Sequence, residues 1–270
     1  MRKATGMLGE VPLSGRVIRA AHATLLEGVR GQGRAPGEYR RGQNMIGAPG
    51  CSEEEAKFLP IAPVYLAEGI SRWETYLHSQ QPDVLVQLAI AHAEFEALHP
   101  FWDGNGRLGR MLIPLYLFSR ELLSAPTFYI SAYLEAHRDQ YYDRLLAVSR
   151  DGDWTGWCEF FLGALEAQAE SNTGKARDIL DLYSKKKEWV IDQTGSKHAI
   201  RALDFVFDRP VFPASDFVGR AGIAKTTAKR ILGVLREGGM LRVLREPGGR
   251  EPAIMAFPEL LNIVEGKSVF

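Results

Sequence analysis

Apolar residues recur at helical spacing through the first two thirds of the chain. Over residues 13–29 the positions Val17, Ile18, Ala21, Leu25 and Leu26 share one helix face, and Gly28 and Gly31 mark the stop. Residues 31–49 are rich in Gly and Arg, have little period, and read as a loop or a short hairpin. Helical spacing returns over 60–78 and 82–98. A third strong helix is predicted at 105–123, where Pro114 should remove one backbone hydrogen bond and bend the axis. Further helices are predicted at 136–149 and 155–170.

The pattern changes toward the C-terminus. Residues 171–196, with the run Lys185-Lys186-Lys187, read as a charged connecting helix whose lysines form a solvated face. From Lys197 a helical stretch to Phe207 is followed by Pro210-Val211-Phe212-Pro213, a short helix near 214–220, a turn at Gly222 and a helix over 225–236. Two β-rich runs, 241–244 and 253–257, flank Pro247-Gly248-Gly249. Helix, helix, turn, helix and hairpin is the order of a winged helix-turn-helix. The expected division is 1–170 for the main domain, 171–196 for a helical linker and 197–270 for the winged-helix domain.

The 270 residues carry no net charge, so no global field draws the protein to nucleic acid or membrane. The balance is uneven, because residues 197–258 hold 11 Lys and Arg against 6 Asp and Glu. The cations concentrate on the expected recognition helix (Lys225, Thr226 and Thr227 beside Lys229 and Arg230) and on the wing (Arg245 and Arg250), which leaves DNA contact and protein docking both open. Two cysteines, Cys51 and Cys158, read as free thiols of a cytoplasmic protein rather than a disulfide framework. No signal-peptide core and no apolar run of membrane-spanning length occurs.

Chemistry is concentrated in the run His99-Pro100-Phe101-Trp102-Asp103-Gly104-Asn105-Gly106-Arg107-Leu108-Gly109-Arg110. It lies between two helices, so it is a loop that opens onto a helix N-terminus. Gly104 and Gly106 allow close backbone approach. The N–H groups and dipole of the following helix favour an anion. Arg107 and Arg110, three apart, project from one face and suit a di- or triphosphate. Asp103 supplies one hard oxygen, which suits a Mg²⁺ that keeps waters and phosphate oxygens as its other ligands. His99 is the group in the run that exchanges a proton near neutral pH. The remaining histidines, His22, His78, His92, His137 and His198, show no metal-ligand spacing and read as structural; His92 reads as a satisfied buried side chain.

This run matches the signature His-Pro-Phe-x-x-Gly-Asn-Gly-Arg-x-x-Arg of the Fic family at all eight fixed positions, and the chain resembles that family over roughly residues 10–170. The resemblance implies a mainly α fold, a Fic-type helical bundle with a small β-hairpin flap, and an enzyme that transfers AMP from ATP to a Ser, Thr or Tyr hydroxyl of a target protein. It implies His99 as the base, Asp103 as the Mg²⁺ ligand, Gly104, Asn105 and Gly106 as the anion hole, and Arg107 and Arg110 as phosphate clamps. Phe101 would fix the loop from the core. The segment 37–47 is similar to the approach to the flap, whose far end is 58–63, and the target would dock along residues 42–60. Arg138-Asp139-Gln140-Tyr141-Tyr142 is also similar to the family and places Tyr142 near the adenine, while a core role for it stays open.

Two other readings use the same residues: a DNA-binding regulator whose Fic half senses nucleotide, and a Fic enzyme that removes AMP. The family's inhibitory pattern Ser/Thr-x-x-x-Glu-Gly/Asn is absent, since Glu27-Gly28, Glu68-Gly69, Glu237-Gly238 and Glu265-Gly266 all lack the Ser or Thr. Arg110 is therefore expected to face no intramolecular glutamate, and a separate inhibitory protein and a homodimer are open as partners.

Overall fold

The computed structural model describes residues 1–27, 33, 35–48, 50, 52–249 and 251–269, with Arg2 described by its backbone alone. The expected helix stop at Gly28 and Gly31, the thiol Cys51 and the wing cation Arg250 lie outside the described residues. The chain divides into two compact units, Met1–Ala169 and Glu170–Phe270.

In the first unit the described helices are α1 (Arg2–Leu8), α2 (Gly15–Leu25), α3 (Pro63–His78), α4 (Val84–Leu98), α5 (Asn105–Ser119), α6 (Ser131–Ala136), α7 (Arg138–Asp151) and the start of α8 (Trp154–Thr194). Helix α4 is central, because its sequence is apolar on every side: Leu88, Ala89, Ala91, Ala93, Phe95 and Leu98 are all buried. Asp83 caps its start, with Oδ1 accepting from Leu85 N (2.8 Å) and Val86 N (3.0 Å). Two tryptophans hold its middle. Trp73 Nε1 of α3 donates to Ala91 O and Trp157 Nε1 of α8 to Ala89 O, each at 2.8 Å. The far end of α4 is thereby fixed, and that end carries His99.

Several boundaries differ from the sequence reading for physical reasons. The helix expected at 60–78 begins at Pro63, whose missing N–H is harmless in a first turn. Among the described residues, the expected β-hairpin flap shows a single antiparallel bridge between Ile46 and Phe58, with Ile46 N to Phe58 O at 3.0 Å and Phe58 N to Ile46 O at 3.1 Å. The next rung would need an N–H from residue 60, and Pro60 has none. Gln43 Nε2 takes that place, donating to Asn44 O and Pro60 O at 2.9 Å each. Toward the tip, Glu55 folds back onto Ser52 N at 2.9 Å.

In the second unit α8 continues to Thr194 and is followed by α9 (Ala199–Asp208), β1 (Val211–Pro213), α10 (Ala214–Arg220), α11 (Lys225–Glu237), β2 (Arg242–Arg245), β3 (Ile254–Ala256) and α12 (Pro258–Glu265). The strands form an antiparallel sheet of order β1-β3-β2, with Val211 and Arg242 both opposite Ala256. Val211-Phe212-Pro213, given no element type by the sequence pattern, is β1. It pairs on one side only, and an edge strand tolerates its prolines. Leu182 and Val190 of α8 enter this unit's core beside Leu203, Phe212, Phe217 and Phe257. Lys186 of the lysine run pairs with Glu259 at 2.5 Å.

Helices α4 and α5 approach closely at Gly109, where an added Cβ would fall 2.1 Å from Glu96 Oε1 and 3.4 Å from His92 Cε1. Alanine normally improves a helix interior over glycine by about 1 kcal/mol. Here Glu96 is buried, so the displacement cost of about 1–3 kcal/mol for overpacking prevails. Gly109→Ala is expected to lower the chemical unfolding midpoint. A variant more stable than wild type would show that the Glu96 carboxyl yields freely.

Candidate active site

His99 caps the C-terminus of α4 in the left-handed conformation, φ 44° and ψ 59°. A non-glycine residue pays about 1–2 kcal/mol for that geometry. It turns the chain sharply away from the helix, and Pro100 then forbids a return to it. The following loop reaches Gly104, left-handed at φ 80°, which begins α5.

Five carbonyls of this turn are bonded from behind. Leu98 O accepts from Arg40 Nη2 (3.3 Å), and His99 O from Arg40 Nε (3.0 Å) and Asn44 Nδ2 (3.2 Å). Pro100 O accepts from Arg40 N (2.9 Å). Phe101 O accepts from Asn44 Nδ2 (3.0 Å) and Asn105 Nδ2 (2.7 Å). Asp103 O is 2.9 Å from His22 Nε2. Of the loop's own N–H groups, that of Phe101 donates to Asn105 Oδ1 and that of Gly104 to Asp103 Oδ1, and the first turn of α5 adds N–H groups without intrahelical partners.

Asn105 closes the loop with its side chain. Its side chain, 1% exposed, does not face a ligand: Oδ1 accepts from Phe101 N (2.9 Å) while Nδ2 donates to Phe101 O. Only its backbone N–H is available to an anion. Phe101 is fully buried and stacks on His22 at 3.8 Å between ring centroids. His22 Nδ1 accepts from Gly37 N (2.9 Å), so its Nε2 carries the proton given to Asp103 O. Burial lowers the proton affinity of His22 and favours that neutral form.

The two arginines fold back toward the start of α5. A Cβ on Gly104 would stand 3.5 Å from Arg107 Nη2, and one on Gly106 would stand 3.4 Å from Arg110 Nη1. Arg107 also lies 3.6 Å from Asp103 Oδ1, which accepts from Gly104 N at 2.5 Å. The structure thus gathers Asp103, Gly104, Gly106, Arg107 and Arg110 around one helix N-terminus. Among the described residues no cluster of three or more His, Cys, Asp or Glu forms a metal cage. A lone carboxylate beside an anion site fits a cation that takes its remaining ligands from phosphate and water.

His99 is pushed down to about 4, chiefly by burial and further by the charge of Arg40, against the opposing bond to Glu96 O. Its Nδ1 lies 3.3 Å from that carbonyl. The neutral ring thus keeps its hydrogen on Nδ1 and leaves Nε2 as a free acceptor.

Four neighbours were not singled out by sequence: Arg40, Asn44, His22 and Glu96. Arg40 adjoins Arg41 in a polar loop, and Asn44 and His22 carry no spacing signal. Glu96 is buried, is pushed up to about 7 by that burial, and feels the charge of Arg110. His92 is buried, is pushed down to about 3 by desolvation, and contacts Tyr141 OH at 2.9 Å, which suits a structural side chain. Tyr142 is 46% exposed; its described ring contacts are to Arg138 (5.8 Å) and Tyr141 (5.3 Å) and not to residues 99–110.

In the second unit Lys225, Lys229 and Arg236 of α11 line one cavity of about 710 Å³ with Ser215, Gly219 and Met255. Thr226 is exposed and Thr227 half-buried on the same helix. Arg230 is diverted, with Nη2 donating to Thr194 O at 3.0 Å, and Arg245 pairs with Glu251 at 3.1 Å.

Comparison with known proteins bears on the first unit. Residues 12–117 match the Fic/DOC family, so the first unit carries a Fic-type domain. The chain is 31% identical over 133 residues to the protein adenylyltransferase Fic of Culex quinquefasciatus, covering 48% of this chain and 23% of that one. It is 32% identical over 96 residues to a probable protein adenylyltransferase of Aquifex aeolicus, covering 35% and 30%. The chain thus spans less than a third of the length of either relative. In fold it resembles the crystal structure of a Fic family protein from Desulfovibrio desulfuricans, with TM-score 0.56 and 20% identity over 94% of this chain and 72% of that chain.

Asn105→Ala removes both bonds to Phe101 and orphans a buried N–H, a loss of about 1–3 kcal/mol. Chemical denaturation in the absence of nucleotide should show it. A loss below about 0.5 kcal/mol would mean that the loop is closed by other contacts.

Proposed function

We propose that this Fic-domain chain is a protein adenylyltransferase: it moves AMP from ATP to a Ser, Thr or Tyr hydroxyl of another protein. The observation that carries this reading is a neutral His99 with Nε2 free, beside an N–H-lined helix start flanked by two guanidiniums. In the proposed reaction Nε2 takes the hydroxyl proton as the oxygen bonds to the α-phosphorus. The bond to the β-phosphate oxygen breaks, and pyrophosphate leaves with that electron pair. Arg107 and Arg110 hold the β- and γ-phosphates, and the backbone N–H groups of Gly104, Asn105 and Gly106 stabilise the charge that develops. Asp103 would hold Mg²⁺, which when bound supplies further neutralisation of phosphate charge.

The target would lie along residues 42–60, beside the Ile46–Phe58 bridge, as an added strand. Removal of AMP would use the same groups. A pure nucleotide sensor would have no use for a free acceptor nitrogen on His99, which favours chemistry over sensing. A separate protein that occupies Arg110 remains the proposed means of inhibition.

His99→Ala should slow AMP transfer about 10²–10⁴-fold while ATP affinity by calorimetry stays within about twofold. The wild-type rate should lose activity on the acid side only as pH falls toward about 4, where His99 takes up its proton and ceases to accept. A variant that labels its target at the wild-type rate removes His99 from the reaction.

For the second unit we infer a winged helix-turn-helix. The order α9, β1, α10, α11, β2, β3 and the three-stranded antiparallel sheet support it. The cationic side of α11, with Lys225, Lys229 and Arg236 lining one cavity, favours a phosphate-bearing polymer, and DNA is the proposed partner. Binding to duplex DNA should weaken steeply with salt, because each phosphate contact releases counterions. No binding at low salt, or binding indifferent to salt, would point to a protein partner instead.

A further inference from the structure

Arg40 is a buried cation, 3% exposed, with no ion pair among the described residues. Its whole fork is spent on carbonyls: Nε on His99 O (3.0 Å), Nη1 on Gly42 O (3.0 Å), and Nη2 on Leu98 O (3.3 Å) and Ile61 O. Its own N–H adds Pro100 O at 2.9 Å. An unpaired buried charge is costly. The cost is offset here by four carbonyl acceptors, two of them at the negative end of α4. A neutral amide could satisfy part of this set at less cost, so a charged fork at this place calls for a use.

We propose that Arg40 is the positioning residue of His99: its fork fixes the left-handed turn that aims the ring, and its charge faces the ring from the side away from the nucleotide. The inference rests on reading His99 as the base, and it concerns how this chain keeps that base ready. The charged groups near the turn are Arg40 from the segment before α3, Glu96 from α4, and Asp103, Arg107 and Arg110 from the loop and α5. Among these, Arg40 is the one whose charge acts on the ring, in the direction that disfavours a proton there, while the Glu96 carbonyl acts against it. The Asp103 carboxylate is engaged by Gly104 and Arg107, and that of Glu96 lies against α5 at Gly109. Geometry and charge are therefore two separable contributions of one side chain.

Lysine separates them, because it keeps the charge and loses the planar fork. In the full chain, Arg40→Lys should leave the titration of His99, followed by ¹H–¹⁵N NMR of the ring, close to wild type. Its kcat should fall at least about tenfold, with KM for ATP changed less than about twofold, as expected when a reacting group is misplaced. Arg40→Met should shift the His99 titration to higher pH. In the wild type the Arg40 Nε–H should be protected from exchange, which can be read even where the methionine variant fails to fold. A His99 titration unmoved in a folded Arg40→Met, full activity in Arg40→Lys, or an Arg40 Nε–H that exchanges at the solvent rate would each overturn the proposal. The titration and exchange measurements need no AMP transfer, so they judge Arg40 even if the proposed activity fails.

Discussion

The captured carbonyl of His99 is the contact on which the candidate site depends. A histidine at φ 44° would relax toward a helical or extended conformation if nothing held it. Arg40 Nε and Asn44 Nδ2 both donate to that carbonyl, at 3.0 and 3.2 Å, and hold it there. Strain of about 1–2 kcal/mol is small beside two buried bonds, one of them from a charged donor. The turn persists because its surroundings over-determine it, a pattern common at functional sites.

One consequence is electrostatic. Five carbonyls of the loop are engaged by hydrogen bonds, while the start of α5 presents N–H groups without intrahelical partners, and Arg107 and Arg110 fold back beside it. The environment that builds this positive face also keeps His99 neutral, since burial and a nearby guanidinium both disfavour the imidazolium. In the proposed function, phosphate affinity and base readiness would arise from one arrangement of backbone.

Much of this was legible in the sequence, for identifiable reasons. The helix pattern of α3, α4 and α5 is strongly periodic or wholly apolar, and Asn105 begins α5 as the pattern predicts. The run from His99 to Arg110 stands out in the sequence because the residues proposed for the site lie close together along the chain. The residues that were missed act across long separations. Arg40 and Asn44 reach a turn 55 to 59 positions away, and His22 reaches Asp103 across 81. Spacing along a chain holds no trace of such pairings. The side chain of Asn105 closes the loop onto Phe101, and only the position of the Phe101 backbone decides that use. The flap fell short of a hairpin because Pro60 lies where the next rung would form, a detail hidden until the Ile46–Phe58 register was known.

The central claim is that the turn from His99 to Arg107 presents its N–H groups, and not its carbonyls, to an anion. The most direct measurement follows the backbone amide resonances of Gly104, Asn105, Gly106 and Arg107 while ATP, pyrophosphate or adenosine is added. The account predicts large shifts at these amides with ATP and with pyrophosphate, and small ones with adenosine. Amides that stay still with pyrophosphate, or that respond equally to adenosine, would contradict it.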